Sequence, residues 1–239
     1  MKQVVLITGG TSGIGLALAE AALARGDAVA VCGRSTPALE RFADRHPEAL
    51  AVRCDVTIGA DRAALLEAVT GRFGRLDILI NNAGTFVERD FVMDPEATRD
   101  LEAEVALNLT APIQLTHEAL SQSPDLRAIV FVTSGFALVS PARAPTYGAV
   151  KAGLHGFAEG LRRQLAPRGI HVLELLPPAT DTPMNASFTG KKMSPAAVAA
   201  ETLDGLARGR SMVLPGPAKP LPLLLRIAPA AVKRMVAGM

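Results

Sequence analysis

Tryptophan is absent from this 239-residue sequence, and tyrosine, cysteine and histidine are scarce, at one, two and four residues. Cys32 and Cys54 have neither the number nor the spacing of a disulfide framework or a zinc site. We therefore interpret them as small buried side chains in a reduced compartment. His46, His117 and His171 have no metal-ligand spacing to cysteines or carboxylates, so the sequence predicts no metal site.

Charge of one sign and long apolar runs are also lacking. The formal net charge is only +2, with 25 basic and 23 acidic residues spread along the chain, which gives no electrostatic footprint for nucleic acid. The first apolar stretch, Val4–Ile7, is too short for the apolar segment of a signal peptide or for a membrane span. We therefore expect a cytoplasmic protein with no nucleic acid partner and no transmembrane segment.

Short β-rich runs alternate with longer Ala-, Leu- and Arg-rich stretches of helical period, and 49% of the residues are hydrophobic. This alternation is typical of βαβ units, and nearly continuous apolar strands indicate a sheet with helices on both faces. The pattern predicts a single-domain α/β Rossmann fold over 1–239, with a doubly wound, seven-stranded parallel sheet. The predicted strands are Val4–Ile7, Ala28–Cys32, Ala49–Cys54, Leu76–Ile80, Ala128–Thr133, His171–Leu176 and Met212–Leu214. The predicted helices are Gly13–Arg25, Pro37–Arg45, Asp61–Phe73, Pro95–Leu120, Thr146–Ala166 and Pro195–Ala207.

Two segments depart from this alternation. Polar residues and Gly190 fill Asn185–Ser194, which we interpret either as a loop that closes over substrate or as a plain surface loop. A tail rich in proline and leucine follows over 215–239 and ends in a short predicted helix, Pro229–Met239. The tail either docks onto the body or a second subunit, or lies in a membrane interface.

A glycine-rich turn joins the first predicted strand to the first helix. Its glycines let the chain approach a pyrophosphate closely, and the helix N-terminus offers free N–H groups and a positive dipole end. The spacing Gly-x-x-x-Gly-x-Gly differs from the Gly-x-Gly-x-x-Gly of other Rossmann proteins. Some such turns are only structural, but its place at the start of a βαβ pattern predicts a dinucleotide site. The predicted contacts are Gly9, Thr11, Ser12, Gly13, Ile14 and Gly15.

The end of the second predicted strand indicates which dinucleotide binds. No carboxylate stands there to hydrogen-bond the ribose of NAD(H) and repel a 2′-phosphate. Instead Arg34 can pair with that phosphate through its fork of donors, helped by Ser12 or Ser35. We therefore predict a preference for NADP(H) over NAD(H), with a solvated surface arginine as the alternative.

Tyr147, the one tyrosine, precedes Lys151 by four residues, which places the phenol and the ammonium on one helix face. A free phenol has a pKa of about 10, and a nearby cation favours its phenolate, so the pair suits general acid/base catalysis. Ser134 ends a buried strand and lacks the Gly-x-Ser-x-Gly turn of a hydrolase nucleophile. His155 is interpreted as a packing or interface residue.

Together these pieces resemble the short-chain dehydrogenase/reductase family over about residues 3 to 215. The matching motifs are Thr8-Gly9-x-x-x-Gly13-Ile14-Gly15, Asp55-Val56, Asn81-Asn82-Ala83-Gly84, Asn108, Ser134, Tyr147-x-x-x-Lys151, and Pro177 with Thr182. Several motifs in one order make coincidence a poor explanation.

The resemblance implies that Asp55 and Val56 meet the adenine, and that Asn82, Ala83 and Gly84 line the cofactor channel and steady the sheet.

It also implies that Asn108 holds a water in a proton relay to Lys151. Thr180 and Thr182, with Pro177 before them, would bracket the nicotinamide carboxamide.

By the same resemblance, Ser134 hydrogen-bonds the substrate oxygen and Tyr147 transfers its proton. Lys151 lowers the pKa of the tyrosine and binds nicotinamide ribose hydroxyls. We therefore expect an NADP(H)-preferring oxidoreductase acting on a small or modestly hydrophobic alcohol or ketone, with Asn108, Ser134, Tyr147 and Lys151 as catalytic residues. An isomerase, epimerase or dehydratase of the same fold and a non-catalytic dinucleotide sensor are the alternatives. The resemblance also implies a homodimer or homotetramer.

Two departures from the family pattern concern the substrate side. Pro178 stands where the family usually has glycine, so the loop facing nicotinamide must take a different or more rigid path. Phe136 brings an aromatic ring either to the substrate mouth or into the core. The predicted substrate pocket is formed by Thr85–Arg89, Phe136–Arg143 and Asn185–Met193.

Overall fold

The computed structural model describes residues 2–237. Its strands are β1 (Val4–Thr8), β2 (Ala28–Gly33), β3 (Leu50–Arg53), β4 (Ile78–Asn81), β5 (Ala128–Val132), β6 (His171–Leu175) and β7 (Met212–Val213). In this part of the chain they form one seven-stranded parallel sheet in the order β3-β2-β1-β4-β5-β6-β7. The predicted strands are confirmed to within one or two residues at each end.

The strand order reverses beside β1. The chain runs outward from β1 through β2 to β3, and then returns to pair β4 with the other side of β1, placing Val5 opposite Ile78. Open parallel sheets bind ligands in the crevice at the carboxyl ends of strands where the order reverses. The glycine-rich turn follows β1, and Asn82–Gly84 follow β4, so both motifs reach this crevice.

Helices cover both faces of the sheet, as predicted. Those described are α1 (Gly13–Ala24), α2 (Thr36–Arg45), α3 (Gly59–Phe73), α4 (Leu101–Val105), α5 (Ala111–Gln122), α6 (Pro145–Leu165), α7 (Pro195–Ala207), α8 (Leu221–Ile227) and α9 (Pro229–Ala237). On one face, α3, α5 and α6 bury residues such as Leu65 and Leu154. On the other face, α1, α2 and α7 bury residues such as Leu18 and Phe42. Cys32 and Cys54 are buried and free, as interpreted from the sequence.

The helix predicted over Pro95–Leu120 begins later, at Leu101, and this prediction is corrected. A side chain caps a turn at the start of the predicted range instead: Asp94 Oδ1 accepts from the Glu96 N–H at 2.9 Å. Asp100 then adopts a left-handed backbone with φ of 59°, which a helix interior excludes. Aspartate favours such local hydrogen bonds over helical ones, and this outweighed the helical period of the segment.

The tail docks onto the body of its own chain. Val232 and Val236 of α9 are buried against Val139, together with partly buried leucines of α8. This packing agrees with docking, one of the interpretations left open by the sequence. Residues 238–239 of the predicted final helix lie outside the described residues. Between residues 2 and 237, no helix has both the length and the apolar character needed to cross a bilayer.

Candidate active site

A cavity of about 770 Å³ opens at the carboxyl ends of the central strands. It extends from the glycine-rich turn to the tail. Of the residues predicted to bind the cofactor or to act in catalysis, Gly15 is the one that does not line it. The lining includes Gly9, Thr11, Ser12, Gly13, Ile14, Arg34, Asp55, Val56, Asn82, Ala83, Gly84, Asn108, Ser134, Tyr147, Lys151, Pro177, Thr180 and Thr182.

The glycine-rich turn needs its glycines for two different reasons. Gly9 and Gly13 have φ values of 64° and 54°, in the left-handed region that favours glycine. Gly15 has ordinary backbone angles, but a Cβ on it would lie 2.3 Å from the Gly9 carbonyl oxygen. Gly15 therefore acts behind the cavity wall, where it lets α1 pack closely against the turn.

The end of β4 fastens this turn in place. Asn82 Nδ2 donates to the carbonyl oxygens of Thr8, at 2.8 Å, and Gly9, at 3.2 Å. In return, Thr8 Oγ1 accepts from the N–H groups of Asn82 and Ala83, both at 3.0 Å. These bonds join β1 to β4 at the reversal point and leave the open side of the turn free for a ligand.

The end of the cavity beside β2 and β3 carries one cation and one anion. Arg34 has a side chain that is 71% exposed, with Nη1 3.8 Å from Asp55 Oδ2. Burial acts to raise the pKa of Asp55, but hydrogen bonds from Thr57 and the charge of Arg34 prevail and lower it. Arg34 is therefore an accessible cation at the place where the sequence predicts the 2′-phosphate.

Tyr147 lies on α6 between two aromatic rings. The Phe86 ring meets it edge-on at 4.9 Å between centroids, and the Phe136 ring does so at 6.4 Å. Ser134 is nearly buried, and its Oγ accepts from the Phe136 N–H at 3.1 Å, which orients the hydroxyl at the start of the following turn. Phe136 thus faces the site as well as packing against the tail.

Lys151 lies one helical turn beyond Tyr147. Its Nζ is 5.7 Å from the centroid of the tyrosine ring and donates to the Val132 carbonyl oxygen at 3.0 Å. Burial lowers the pKa of Lys151 to about 8. The predicted helix spacing therefore does bring the phenol and the amine to one wall of the cavity.

The pKa of Tyr147 does not follow the sequence-based expectation. Burial raises it to about 12; the Ser134 side chain acts to lower it, and the charge of Glu104 raises it further. The expected net lowering is not seen, because loss of solvation dominates and Lys151 donates to a backbone carbonyl. The phenol is therefore held in its protonated form.

Asn108 lies in a single π-helical turn, Ala106–Thr110, that joins α4 to α5. Such turns frequently occur at functional sites because they reorient one side chain. Here Asn108 Oδ1 accepts from the Thr85 N–H at 3.2 Å, while Nδ2 donates to the carbonyl oxygens of Thr85 and Glu104. The amide holds the loop after β4, and a Cβ on Gly84 would lie 2.7 Å from Asn108 Oδ1.

A buried ion pair beneath the site was missed by sequence reasoning. Arg89 had been placed in the substrate wall, but it is buried away from the cavity with Nη2 3.0 Å from Glu104 Oε2. Thr146, the neighbour of Tyr147, also donates to Glu104 Oε2 at 2.8 Å. Nothing in the spacing of these residues signals the pairing, because it depends on how the loop folds back onto α4.

The loop after β6 is held by hydrogen bonds within itself, although Pro178 lacks a backbone N–H. Thr180 is fully buried, and its hydroxyl donates to the Pro178 carbonyl oxygen at 2.8 Å. Thr180 also pairs with Met193 in an isolated bridge, and its carbonyl oxygen accepts from Asn185 Nδ2 at 2.9 Å, so both ends of the segment Asn185–Ser194 are anchored. Thr182 reaches the glycine-rich turn, where its Cγ2 would lie 3.0 Å from a Cβ on Gly13.

Opposite this loop, the cavity has an apolar wall that the sequence predicted only in part. Phe136 and Val139 were expected there, but the tail also contributes, through Leu221 on α8 and through Met235 and Val236 on α9. The alternation of proline with leucine was the available signal, since so apolar a segment needs a surface to cover.

His155 supports the sheet, which agrees with its interpretation as a packing residue. Its Nδ1 is 2.8 Å from Glu174 Oε2, and Glu174 Oε1 accepts from Thr133 Oγ1 at 2.6 Å. Among the residues described, no group of three or more His, Cys, Asp or Glu side chains is arranged to hold a metal ion.

Comparison with known proteins gives concordant results. The short chain dehydrogenase family matches residues 3–192. The uncharacterized oxidoreductase DltE of Bacillus subtilis is 37% identical over 221 residues, which cover 89% of this chain and 87% of that protein.

Two solved structures extend the comparison from sequence to fold. A short chain dehydrogenase from Burkholderia cenocepacia in complex with NADP aligns with a TM-score of 0.86 at 25% identity, covering 98% of this chain and 97% of that one. A 3-ketoacyl-(acyl-carrier-protein) reductase from Brucella melitensis complexed with NADH aligns with a TM-score of 0.81 at 27% identity, covering 90% and 98%. With the fold, the cavity and these matches in agreement, the chain belongs to the short-chain dehydrogenase/reductase family of NAD(P)-dependent oxidoreductases.

Proposed function

We propose that the protein is an NADP(H)-preferring oxidoreductase that interconverts a modestly hydrophobic alcohol and ketone, with Tyr147 as the general acid/base. The observation that carries this proposal is the grouping of Tyr147, Ser134 and Lys151 at one wall of a cavity that continues to the glycine-rich turn. Shape alone does not define a reaction on this fold, and the three side chains in one place support proton transfer to a substrate oxygen.

The residues present fit a dinucleotide. Gly9 and Gly13 leave a cradle that side chains would fill, beside the N-terminus of α1 with its free N–H groups. Arg34 would hold the 2′-phosphate, Asp55 and Val56 the adenine, and Thr182 the nicotinamide end. When bound, the nicotinamide supplies hydride to the carbonyl carbon or accepts it from the alcohol carbon.

The protein's own residues place the substrate and move its proton. Ser134 donates a hydrogen bond to the substrate oxygen, which polarises a carbonyl. Tyr147, with its pKa raised to about 12, holds a proton at the phenol oxygen and gives it to that oxygen during reduction. Lys151 supplies positive charge beside the phenol. Asn108 holds the water molecule of the proton relay. Because the phenol of Tyr147 carries its proton before the reaction, it is ready to donate it, and this donation is the step that reduction requires.

The direct test is a panel of ketones and aldehydes incubated with NADPH or NADH, followed by loss of absorbance of the reduced cofactor. Net loss in proportion to substrate separates a reductase from an isomerase or a dinucleotide sensor. Tyr147→Phe should lower kcat by about a hundredfold or more, since a general acid typically contributes that much. Cofactor affinity should be largely kept, and undiminished turnover of this variant would refute the role of the phenol.

We also propose a homodimer or homotetramer that pairs through α5 and α6. The argument is by membership of the family, and Gly156 and Gly160 of α6 support it because a Cβ on either would meet nothing within 4 Å, which leaves an open face. Light scattering on the purified protein tests the subunit number, and a monomer at micromolar concentration would contradict it.

A further inference from the structure

The substrate end of the cavity contains charge of only one sign. The charged side chains among the described lining residues are Arg34, Asp55, Arg143, Lys151 and Lys191. The single acid in this set, Asp55, is beside Arg34 at the adenine end. Towards the tail, the cavity therefore has cations without a lining carboxylate.

Besides Lys151, which the proposed mechanism already uses, Arg143 is a cation close to the reacting group. Its guanidinium carbon lies 5.1 Å from the centroid of the Phe86 ring, and that ring meets Tyr147 edge-on at 4.9 Å. One aromatic ring thus separates the guanidinium from the catalytic phenol. The backbone of Arg143 is fixed as well, because its carbonyl oxygen accepts from the N–H of buried Arg89 at 2.9 Å.

The hydrogen-bonding capacity of this guanidinium is only partly used. Arg143 Nη1 donates to Glu88, whose side chain is 51% exposed. Arg143 Nε is buried and has no hydrogen-bond partner among residues 2–237. A buried N–H group without an acceptor is unfavourable, so this edge of the fork favours an incoming acceptor. An arginine fork matches the two oxygens of a carboxylate.

The Arg143 guanidinium lies against the Phe86 ring, and the tail end of the cavity has further apolar walls. Phe136 and Val139 come from the segment after β5, and Leu221 and Val236 come from the tail. A substrate in this space meets apolar side chains along its length and a cation at one point. Because a charge-assisted hydrogen bond strengthens where water is displaced, the apolar surroundings increase the contribution of Arg143.

We propose that Arg143 binds a carboxylate on the substrate, so that the preferred substrate is an apolar ketone or alcohol that also carries an acid group. This inference rests on the proposed function, since it assigns a substrate class to the same site. The substrate carboxylate takes the edge of the fork that carries Nε, while Glu88, half exposed to solvent, stays on Nη1 and offsets part of the positive charge.

The test compares 4-acetylbenzoate with its methyl ester, which differ in one charge and place a ring between ketone and acid. In wild type with NADPH, kcat/KM for the acid should exceed that for the ester. In Arg143→Met the acid-to-ester ratio of kcat/KM should fall by about tenfold or more, the size expected for a hydrogen bond to a charged group. Arg168→Met, at an exposed site, is the matched control and should keep the wild-type ratio.

Two further variants sharpen the result. Glu88→Gln removes the negative charge that partly offsets Arg143 and should raise the acid-to-ester ratio. Lys191→Met removes a further lining cation that the proposed mechanism does not use; if it lowers the ratio and Arg143→Met does not, the assignment to Arg143 is overturned. An unchanged ratio in Arg143→Met, with the fold intact by circular dichroism, overturns it as well.

Binding separates this inference from the proposed reaction. The affinities of 4-tert-butylbenzoate and 4-tert-butylbenzamide are measured by calorimetry, which needs no turnover. Benzoate binding that is stronger than amide binding in wild type and weakened in Arg143→Met supports the acid site even if no ketone is reduced. Equal affinities for benzoate and amide overturn the acid site, whatever the reductase assay gives.

Discussion

Tyr147 and Lys151 are both desolvated, and their pKa values move in opposite directions. Burial raises the pKa of the phenol to about 12 and lowers that of the amine to about 8. The phenol therefore keeps its proton throughout the range in which most enzymes are assayed, while the lysine changes charge within it. The titrating group of this pair near pH 8 is the lysine.

The pH profile of reduction should report that change. We expect kcat/KM to be flat between about pH 6 and 7, and to fall above about pH 8 as Lys151 loses its positive charge and its support for the phenol. The measurement is initial rate against pH at fixed ionic strength, with cofactor held saturating. Activity that rises steadily from pH 7 to 10 would contradict it, because that shape requires a phenolate.

Arg34 is the residue that should set cofactor preference. In Arg34→Ala we expect the KM for NADPH to rise by about tenfold or more, because a charge-assisted pair with the 2′-phosphate is lost. The KM for NADH should change little. Arg41→Ala, an exposed arginine on α2, is the control. Equal effects on both cofactors in Arg34→Ala would contradict the prediction.

At the residue scale, the sequence predicted the site residues that belong to motifs. It missed the contacts that form only when distant segments fold together. Gly9, Ser134, Tyr147 and Lys151 occupy positions with characteristic spacing, and the structure gathers them in one cavity. Arg89 has no such spacing with Glu104, so a sequence pattern cannot report their contact.

The two-part helix that carries Asn108 shows how an element depends on contacts outside itself. α4 is short, and the π-helical turn after it interrupts regular bonding. Glu104 anchors it through Arg89, whose Nη1 donates to the Ala97 carbonyl oxygen at 2.8 Å. Hydrophobic period alone predicted one continuous helix from Pro95. The aspartate turns and the π turn depend on local hydrogen bonds, which that period does not report.

Replacing Glu104 should destabilise this region strongly. In Glu104→Gln the Arg89 charge remains buried without a counter-charge, and breaking such a pair typically costs about 3 kcal/mol or more of unfolding free energy. Urea denaturation measures the loss, with Glu102→Gln, exposed on the same helix, as the control. A difference below about 1 kcal/mol between the two variants, within the range of exposed ion pairs, would contradict the prediction.

Across the whole molecule, the βαβ pattern was the most dependable signal. A parallel sheet with helices on both faces requires strands that are apolar on both sides, and β1 is buried at every position. The position of the tail could not be predicted in the same way. Its apolar residues indicated that it covers something, but the surface it covers, around Val139, is formed only after β5 and α6 have packed.

Lys151 should lower the stability of the folded protein, because its charge is buried at the site. Its pKa is about 8 in the folded protein against an ordinary 10.5, so between these values the unfolded chain binds more protons. The free energy of unfolding contributed by Lys151 therefore rises with pH through that window, and the full penalty applies below about pH 8. Tyr147 acts in the opposite sense only above about pH 10, where an unfolded phenol ionises while the folded one, with a pKa of about 12, does not.

Burial and a mutual hydrogen bond also shift the pKa values of Cys32 and Cys54, but their contribution is common to both proteins, so the difference in Tm between Lys151→Met and wild type from pH 8 to 10 reports the lysine. Lys151→Met, which removes the buried charge and keeps the aliphatic stem, should have a higher Tm than wild type at pH 7.5, and this advantage should shrink steadily as the pH approaches 10. Lys233→Met, at an exposed position on α9, should follow the wild-type curve in parallel. If the Tm difference between Lys151→Met and wild type is constant across this range, Lys151 carries no desolvation penalty, and the lysine-dependent fall in activity near pH 8 must be abandoned with it.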